Sequence, residues 1–127
     1  PDPAAVIRQI HDLDKRAGIT LCPGTPIESV LPVAAMVERV LIMSVEPGFG
    51  GQSFMEGQLD KVRKLVEWRN AEGHHYDIQI DGGIKSHNAA VCAAAGVEVF
   101  VAGSAVFDAD DYQKSIMNLR ASALATN

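Results

Sequence analysis

The residues with the clearest chemical potential stand at the ends of strand-like stretches. Asp81 opens the run Asp-Gly-Gly-Ile-Lys-Ser, with Gly82 and Gly83 beside it. A second stretch closes on Glu46-Pro47-Gly48-Phe49-Gly50-Gly51-Gln52, and a third on Gly103-Ser104-Ala105. A carboxylate in such a place can move a proton or ligate a cation. Adjacent glycines remove side chains where a ligand or another backbone must come close. Backbone amides freed in these turns, with the first turn of a short helix after Gly103, offer a site for a phosphate dianion without any lysine or arginine. Taken singly, each corner is also an ordinary tight turn; all three together point to a phosphosugar-type ligand. None fits the dinucleotide fingerprint or the P-loop pattern, which argues against NAD and ATP.

The elements that must position these corners read in order. Asp2-Pro3 is an N-cap with proline at the first helical position, and Val6, Ile7, Ile10, Leu13 and Ala17 recur at helical spacing up to a stop at Gly18. Ile19 to Cys22 is a short β-branched strand stopped by Pro23-Gly24. Thr25-Pro26-Ile27-Glu28 predicts a capping box opening a second helix, which Pro32 should kink or end early. Val40 to Val45 is apolar on both parities, as a parallel strand covered on both faces would be. Ser53 and Glu56 suggest another capping box, for a helix with Leu59, Val62, Leu65 and Val66 inward and Gly73 as its stop.

Tyr76 to Ile80 alternates strictly, placing Asp77, Gln79 and Asp81 on one face and Tyr76, Ile78 and Ile80 on the other. The polar face should therefore look into something other than an apolar helix layer, such as the mouth of a parallel barrel. Ser86 is expected to cap a helix through Ala95, and Val97 to Ala102 to form the last strand. A single turn to Phe107 and a terminal helix behind Asp108, Asp110 and Asp111 close the chain, with acidic groups where the helix dipole favours them.

Alternating strands and helices with short connections mean an α/β fold with a parallel sheet and right-handed crossovers. A small doubly wound sheet and a piece of an eight-stranded barrel both satisfy this. A complete barrel needs about 250 residues, so 127 residues cannot be a whole one. In either case the strand C-termini lie on one side, and the three glycine corners converge on one mouth.

Composition bounds the rest. One domain with an ordinary soluble balance is expected from 47% hydrophobic and 21% charged residues. No apolar run approaches a membrane span and no export signal opens the chain, so a cytoplasmic protein is expected. Cys22 and Cys92 lack metal-site spacing and fit a reducing compartment. A formal charge of −5 argues against a nucleic-acid partner or an anionic membrane surface.

Met43-Ser44-Val45-Glu46-Pro47-Gly48-Phe49-Gly50-Gly51-Gln52-Ser53-Phe54, Ile80-Asp81-Gly82-Gly83-Ile84 and Val101-Ala102-Gly103-Ser104-Ala105, with Pro23-Gly24-Thr25-Pro26 upstream, resemble the ribulose-phosphate 3-epimerase family. The resemblance covers nearly the whole chain, residues 1–127, and only the C-terminal half of that family's (β/α)8 barrel, strands five to eight. It implies a half-barrel of four parallel strands with helices. The implied activity is C3 epimerisation of D-ribulose 5-phosphate to D-xylulose 5-phosphate, with two aspartates acting on opposite faces of an enediolate and sharing a divalent metal (zinc, iron or manganese). By the same resemblance Asp81 is the second of these aspartates and a metal ligand. Gly48, Phe49, Gly50, Gly51, Gly82, Gly83, Gly103 and Ser104 contact the substrate, chiefly its phosphate, and Met43 lines the site beside the metal. Cys22 stands where the family more often has a polar residue.

By the same resemblance, the family's partner aspartate and two histidine ligands belong to strands outside this sequence. His74 and His75 precede the Asp81 strand and belong at the opposite mouth; His11 and His87 fall on helices; Asp77 is too far along the strand to pair with Asp81. The sequence thus reads as a piece of an epimerase with the parent function but without its activity or its metal. Open sheet edges at the Ile19 and Val97 strands would pair with another copy or with the missing half. Two other readings stay open: another phosphosugar barrel, such as a hexulose-phosphate epimerase or decarboxylase, and a non-catalytic phosphate-binding half-barrel.

Overall fold

A computed structural model describes residues 2–48 and 52–125. Four strands, β1 (Gly18–Leu21), β2 (Arg39–Met43), β3 (Asp77–Asp81) and β4 (Val99–Val101), form one sheet in the order β1-β2-β3-β4, every pair parallel. Parallel neighbours need crossovers. A 3₁₀ helix (Ile27–Val33) serves β1 to β2, α2 (Leu59–Glu72) serves β2 to β3, and α3 (Ser86–Ala95) serves β3 to β4. Helix α1 (Pro3–Asp12) precedes the sheet, and α4 (Ser104–Phe107) and α5 (Tyr112–Leu124) follow it. This is the expected α/β half-barrel of four strands.

The two faces of the sheet separate as the alternation requires. Ile19, Val40 and Ile78 stand side by side in register, followed by Leu21, Ile42, Ile80 and Phe100. Val40, Ile42, Ile78 and Ile80 are fully buried, beneath a layer that includes Val30, Val33, Leu59, Val62, Leu65 and Cys92. Each such side chain contributes about 1.5–3 kcal/mol by leaving water. Tyr76, just before β3, is buried as well and donates its hydroxyl to the Leu65 carbonyl, 2.5 Å. Burial pushes its phenol above the ordinary range.

The opposite face carries Gly18, Arg39 and Asp77 in one row, then Thr20, Leu41, Gln79 and Val99, then Met43, Asp81 and Val101. In β2 and β3 these residues are only half-buried. In the first row Arg39 grips Asp77 with both ends of its guanidinium, Nε to Oδ1 at 2.7 Å and Nη2 to Oδ2 at 2.9 Å, while Nη1 donates to Gln79 Oε1 at 3.1 Å. The sequence assigned Asp77 and Gln79 correctly to the polar face; what holds them there is an arginine on the neighbouring strand.

Several boundaries differ from the sequence expectation, each for a local reason. Helix α1 stops at Asp12, because Asp14 adopts a left-handed φ of 58°, and Gly18 lies inside β1. Thr25 and Glu28 form no capping box. Pro26 is the N-cap of a 3₁₀ helix, whose shorter repeat tolerates Pro32, a residue with no N–H to give an α-helix. Ser53 caps nothing; a 3₁₀ turn (Glu56–Gln58) leads into α2. Ser86 is the first residue of α3 and Lys85 its N-cap, while Asn88 Oδ1 accepts from the Lys85 amide at 2.9 Å. Asp111 does cap α5, accepting from the Lys114 amide at 3.0 Å.

Removing buried carbon from the central strand should leave a cavity that the packed layer cannot close, so Ile80→Ala should cost about 2–5 kcal/mol in urea unfolding. Hydrogen bonding from Arg39 holds the Asp77 carboxyl below its ordinary range. A carboxyl more acidic when folded than unfolded adds stability above the unfolded pKa and loses it as pH falls through the folded one. Unfolding midpoints measured through and below about pH 4 should therefore fall less steeply for Asp77→Asn than for the natural chain.

Candidate functional site

Ser44, the residue after β2, fastens the strand-end corners together. It is fully buried, its amide donates to the Asp81 carbonyl at 2.9 Å, and its hydroxyl donates to the Gly82 carbonyl at 2.6 Å. Its own carbonyl accepts from the Met55 amide at 2.8 Å. One serine thus clamps the end of β3 and the return of the glycine loop to the end of β2. Sequence reasoning passed over it because a serine in an apolar run carries no signal of its own.

The two glycines after Asp81 answer to this packing. A Cβ on Gly82 would sit 2.7 Å from the Val45 nitrogen, and one on Gly83 would sit 2.6 Å from the Phe54 nitrogen, with φ at +134° and +71°. What comes close there is a neighbouring backbone, one of the two reasons the sequence left open. Gly48 and Gly103 are different, since a Cβ on either would meet nothing within 4 Å.

A cleft of about 260 Å³ opens over these corners, lined by Met43, Val45, Pro47, Gly48, Gln52, Asp81, Gly82, Gly83, Ile84, Val101, Gly103 and Ser104. Seven of the residues named from the sequence (Met43, Gly48, Asp81, Gly82, Gly83, Gly103 and Ser104) therefore share one cavity at the C-terminal ends of the strands. Phe49, Gly50 and Gly51 lie outside the described residues. Gln52, which brackets them, donates from Nε2 to the Glu46 carbonyl at 2.5 Å, drawing the two ends of the loop together. Met43, Asp81 and Val101 form the row of the sheet nearest the cleft.

Among the described residues Asp81 is the one ionisable group in that lining. A cation stands just outside it: Lys85 Nζ donates to Ser104 Oγ at 2.6 Å. The amide-lined corner expected from the sequence thus has a lysine beside it, whose side chain crosses from the head of α3 to the head of α4. The signal was present, since Lys85 follows the Asp-Gly-Gly corner by two residues, but its partner is 19 residues away.

Metal ligation was also expected of Asp81. Among the described residues no three His, Cys, Asp or Glu side chains gather into a potential metal site. His11 Nε2 meets Glu38 Oε1 at 2.9 Å, away from the cleft, and His74 packs against Tyr76 with ring centroids 5.8 Å apart, ahead of β3. His87 lines an outer groove beside Lys85. Among the described residues no helix is long and apolar enough to cross a membrane. Cys22 and Cys92 are free thiols, and burial pushes that of Cys92 up to about 11.

Comparison with known proteins converges on one family. The pattern of the Ribulose-phosphate 3 epimerase family matches residues 1–107. The chain is 46% identical over 116 residues to the chloroplastic ribulose-5-phosphate-3-epimerase of Arabidopsis thaliana, covering 91% of this chain and 41% of that protein. It is 42% identical over 126 residues to the ribulose-phosphate 3-epimerase of Mycobacterium tuberculosis H37Rv, 99% of this chain and 55% of that one. With the Escherichia coli K12 enzyme it shares 43% over 105 residues, 83% of this chain and 47% of that one. The chain thus spans about half the length of the curated relatives it matches. Among solved structures, a 3-hexulose-6-phosphate synthase superposes with a TM-score of 0.66 at 22% identity, over 94% of this chain and 55% of that one, which bears on the fold alone.

Removing the Ser44 hydroxyl should leave the Gly82 carbonyl without its buried donor. Ser44→Ala is expected to lower stability by about 1–3 kcal/mol, and faster hydrogen exchange at the Met55 amide would report the loosened loop.

Proposed function

Since the chain belongs to the ribulose-phosphate 3-epimerase family, we propose that it forms the phosphate-binding, one-acid side of an active site that interconverts D-ribulose 5-phosphate and D-xylulose 5-phosphate. What supports this reading above all is the gathering of Asp81 with Gly48, Gly82, Gly83, Gly103 and Ser104 around one cleft. The corner that ends in Gly103-Ser104 and the open backbone at Gly48 would take the phosphate. Gly82 and Gly83 serve mainly to let the corners pack, and so fix where the phosphate sits.

Asp81 would exchange a proton with C3 from its side of the sugar. Epimerisation requires the proton to leave one face and return to the other, so a second acid on the far face is needed. Among the described residues lining the cleft no other acid is present, and Asp77 is committed to Arg39 in a different row of the sheet. On this reading the second acid comes from outside this chain. The divalent metal implied by the family, zinc, iron or manganese, does not fit the residues here by themselves, because such a site takes three or more protein donors and Asp81 supplies one. No step of the present reading runs through it.

The edges of the sheet fit the same picture. Among the described residues β1 and β4 each pair on one side only, and beside β4 an apolar groove of about 520 Å³ runs between Phe100, Ala102 and Val106 and, on α5, Ile116 and Leu119. Pairing with an amino-terminal half or with a second copy would cover both, and native mass spectrometry would distinguish a closed pair from a monomer. The free thiols agree with a reducing compartment such as the cytoplasm.

The isolated 127-residue chain should not convert D-ribulose 5-phosphate to D-xylulose 5-phosphate in a coupled assay; turnover by this chain alone would refute the need for a second acid from elsewhere. In a barrel completed with the amino-terminal half of the Escherichia coli relative, Asp81→Asn should lower kcat by about 10²- to 10⁴-fold. Unchanged turnover would remove Asp81 from the reaction.

A further inference from the structure

We propose that Lys85 is the counter-charge for the substrate's phosphate, acting at the Ser104 corner; this rests on the phosphosugar reading of the cleft. The cleft has an electrostatic deficit. Among its described lining residues Asp81 is the sole ionisable group, and it is an acid. A phosphate dianion brought in beside a carboxylate meets repulsion in a partly desolvated space. Backbone amides can cradle a phosphate but add no net charge to set against the carboxylate, and the chain as a whole carries a charge of −5.

Lys85 is held where it can answer that deficit. Its ammonium donates to Ser104 Oγ at 2.6 Å, a short contact of the charge-assisted kind. A serine hydroxyl that accepts from lysine keeps its own proton to give to a further acceptor. An ammonium has three donors, of which Ser104 takes one. An anion accepting from Ser104 Oγ would therefore sit in the field of the Lys85 charge and within its reach.

The side chain is aimed by its backbone. The Lys85 amide donates to Asn88 Oδ1 at 2.9 Å, and the buried Asn88 in turn donates from Nδ2 to the Gly83 carbonyl at 2.8 Å. The same asparagine thus fixes both the Gly83 corner and the root of the lysine. Lys85 itself lines an outer groove with Gln52, Phe54, Gly83 and His87, whereas its ammonium ends on the rim of the inner cleft. A lysine serving only to tie two helices on the surface would not need to end on a residue that lines the cleft.

Calorimetric titration of the 127-residue chain with inorganic phosphate and with D-ribulose 5-phosphate tests this. Lys85→Met should weaken both ligands about tenfold, equivalent to about 1.4 kcal/mol, and Lys85→Arg should restore most of the loss. The difference should shrink as salt is raised, since a charge contact is screened. Because Asn88 holds the backbone amide and not the side chain, Lys85→Met should keep the helix cap and the native fold, checked by the circular dichroism spectrum, although it gives up the hydrogen bond to Ser104. Phosphate binding by Lys85→Met equal to that of the natural chain would overturn the assignment of Lys85 and leave the phosphosugar reading standing. A loss that does not respond to salt, or that arginine does not rescue, would likewise overturn it. Failure of the natural chain to bind either ligand would overturn both.

Discussion

The site depends on the backbone pairing at the C-terminal ends of β2 and β3. Met43 and Asp81 are register partners, and the next residue on each strand is locked to the other, Ser44 through its amide to Asp81 and through its hydroxyl to Gly82. A slip of one residue would turn Asp81 from the open face into the apolar layer with Ile42 and Ile80. The register is defended from both ends. At the far end the Arg39 guanidinium closes on Asp77, a residue in direct register with it. Between them four fully buried aliphatic side chains permit no other alignment.

That constraint explains why glycine is needed where it is. Once Ser44 draws the two strand ends together, the corner after β3 runs so close to Val45 and Phe54 that no Cβ fits at Gly82 or Gly83. The corner then delivers its chain to Asn88, which caps the head of α3 and sets Lys85 against Ser104. Strand register, glycine packing, helix cap and charge placement form one chain of cause. The carboxylate, the open backbone at Gly48 and the lysine-bound hydroxyl are its consequences at the cleft.

Much of this was legible in the residues. Period-two alternation from Tyr76 to Ile80 gave the face of Asp81, and glycine at strand ends marked the corners that meet. Local hydrogen-bonding patterns were less reliable. Thr25 with Glu28 and Ser53 with Glu56 have the spacing of a capping box, yet neither caps, because proline and the tight return of the loop favour 3₁₀ turns there. Contacts across many residues were illegible: nothing local to Ser44, Lys85 or Arg39 announces a partner 38, 19 or 38 residues away. Family membership, by contrast, was carried by separated short motifs, which survive even when only half a barrel is in hand.

On the proposed reading the three strand-end corners form one anion-binding mouth around Asp81. The protein offers its own control, since the opposite end of the sheet has a cleft of about 360 Å³ whose lining sets Lys15, Arg16 and Arg39 against Glu38 and Asp77, still a more cationic place than the proposed mouth. Amide chemical shifts followed by NMR during titration with D-ribulose 5-phosphate separate the two. Saturable shifts at Gly48, Asp81, Gly83, Gly103 and Ser104, with Arg16 and Arg39 unmoved, are the predicted result. Shifts confined to Arg16, Gly18 and Arg39 would contradict the account.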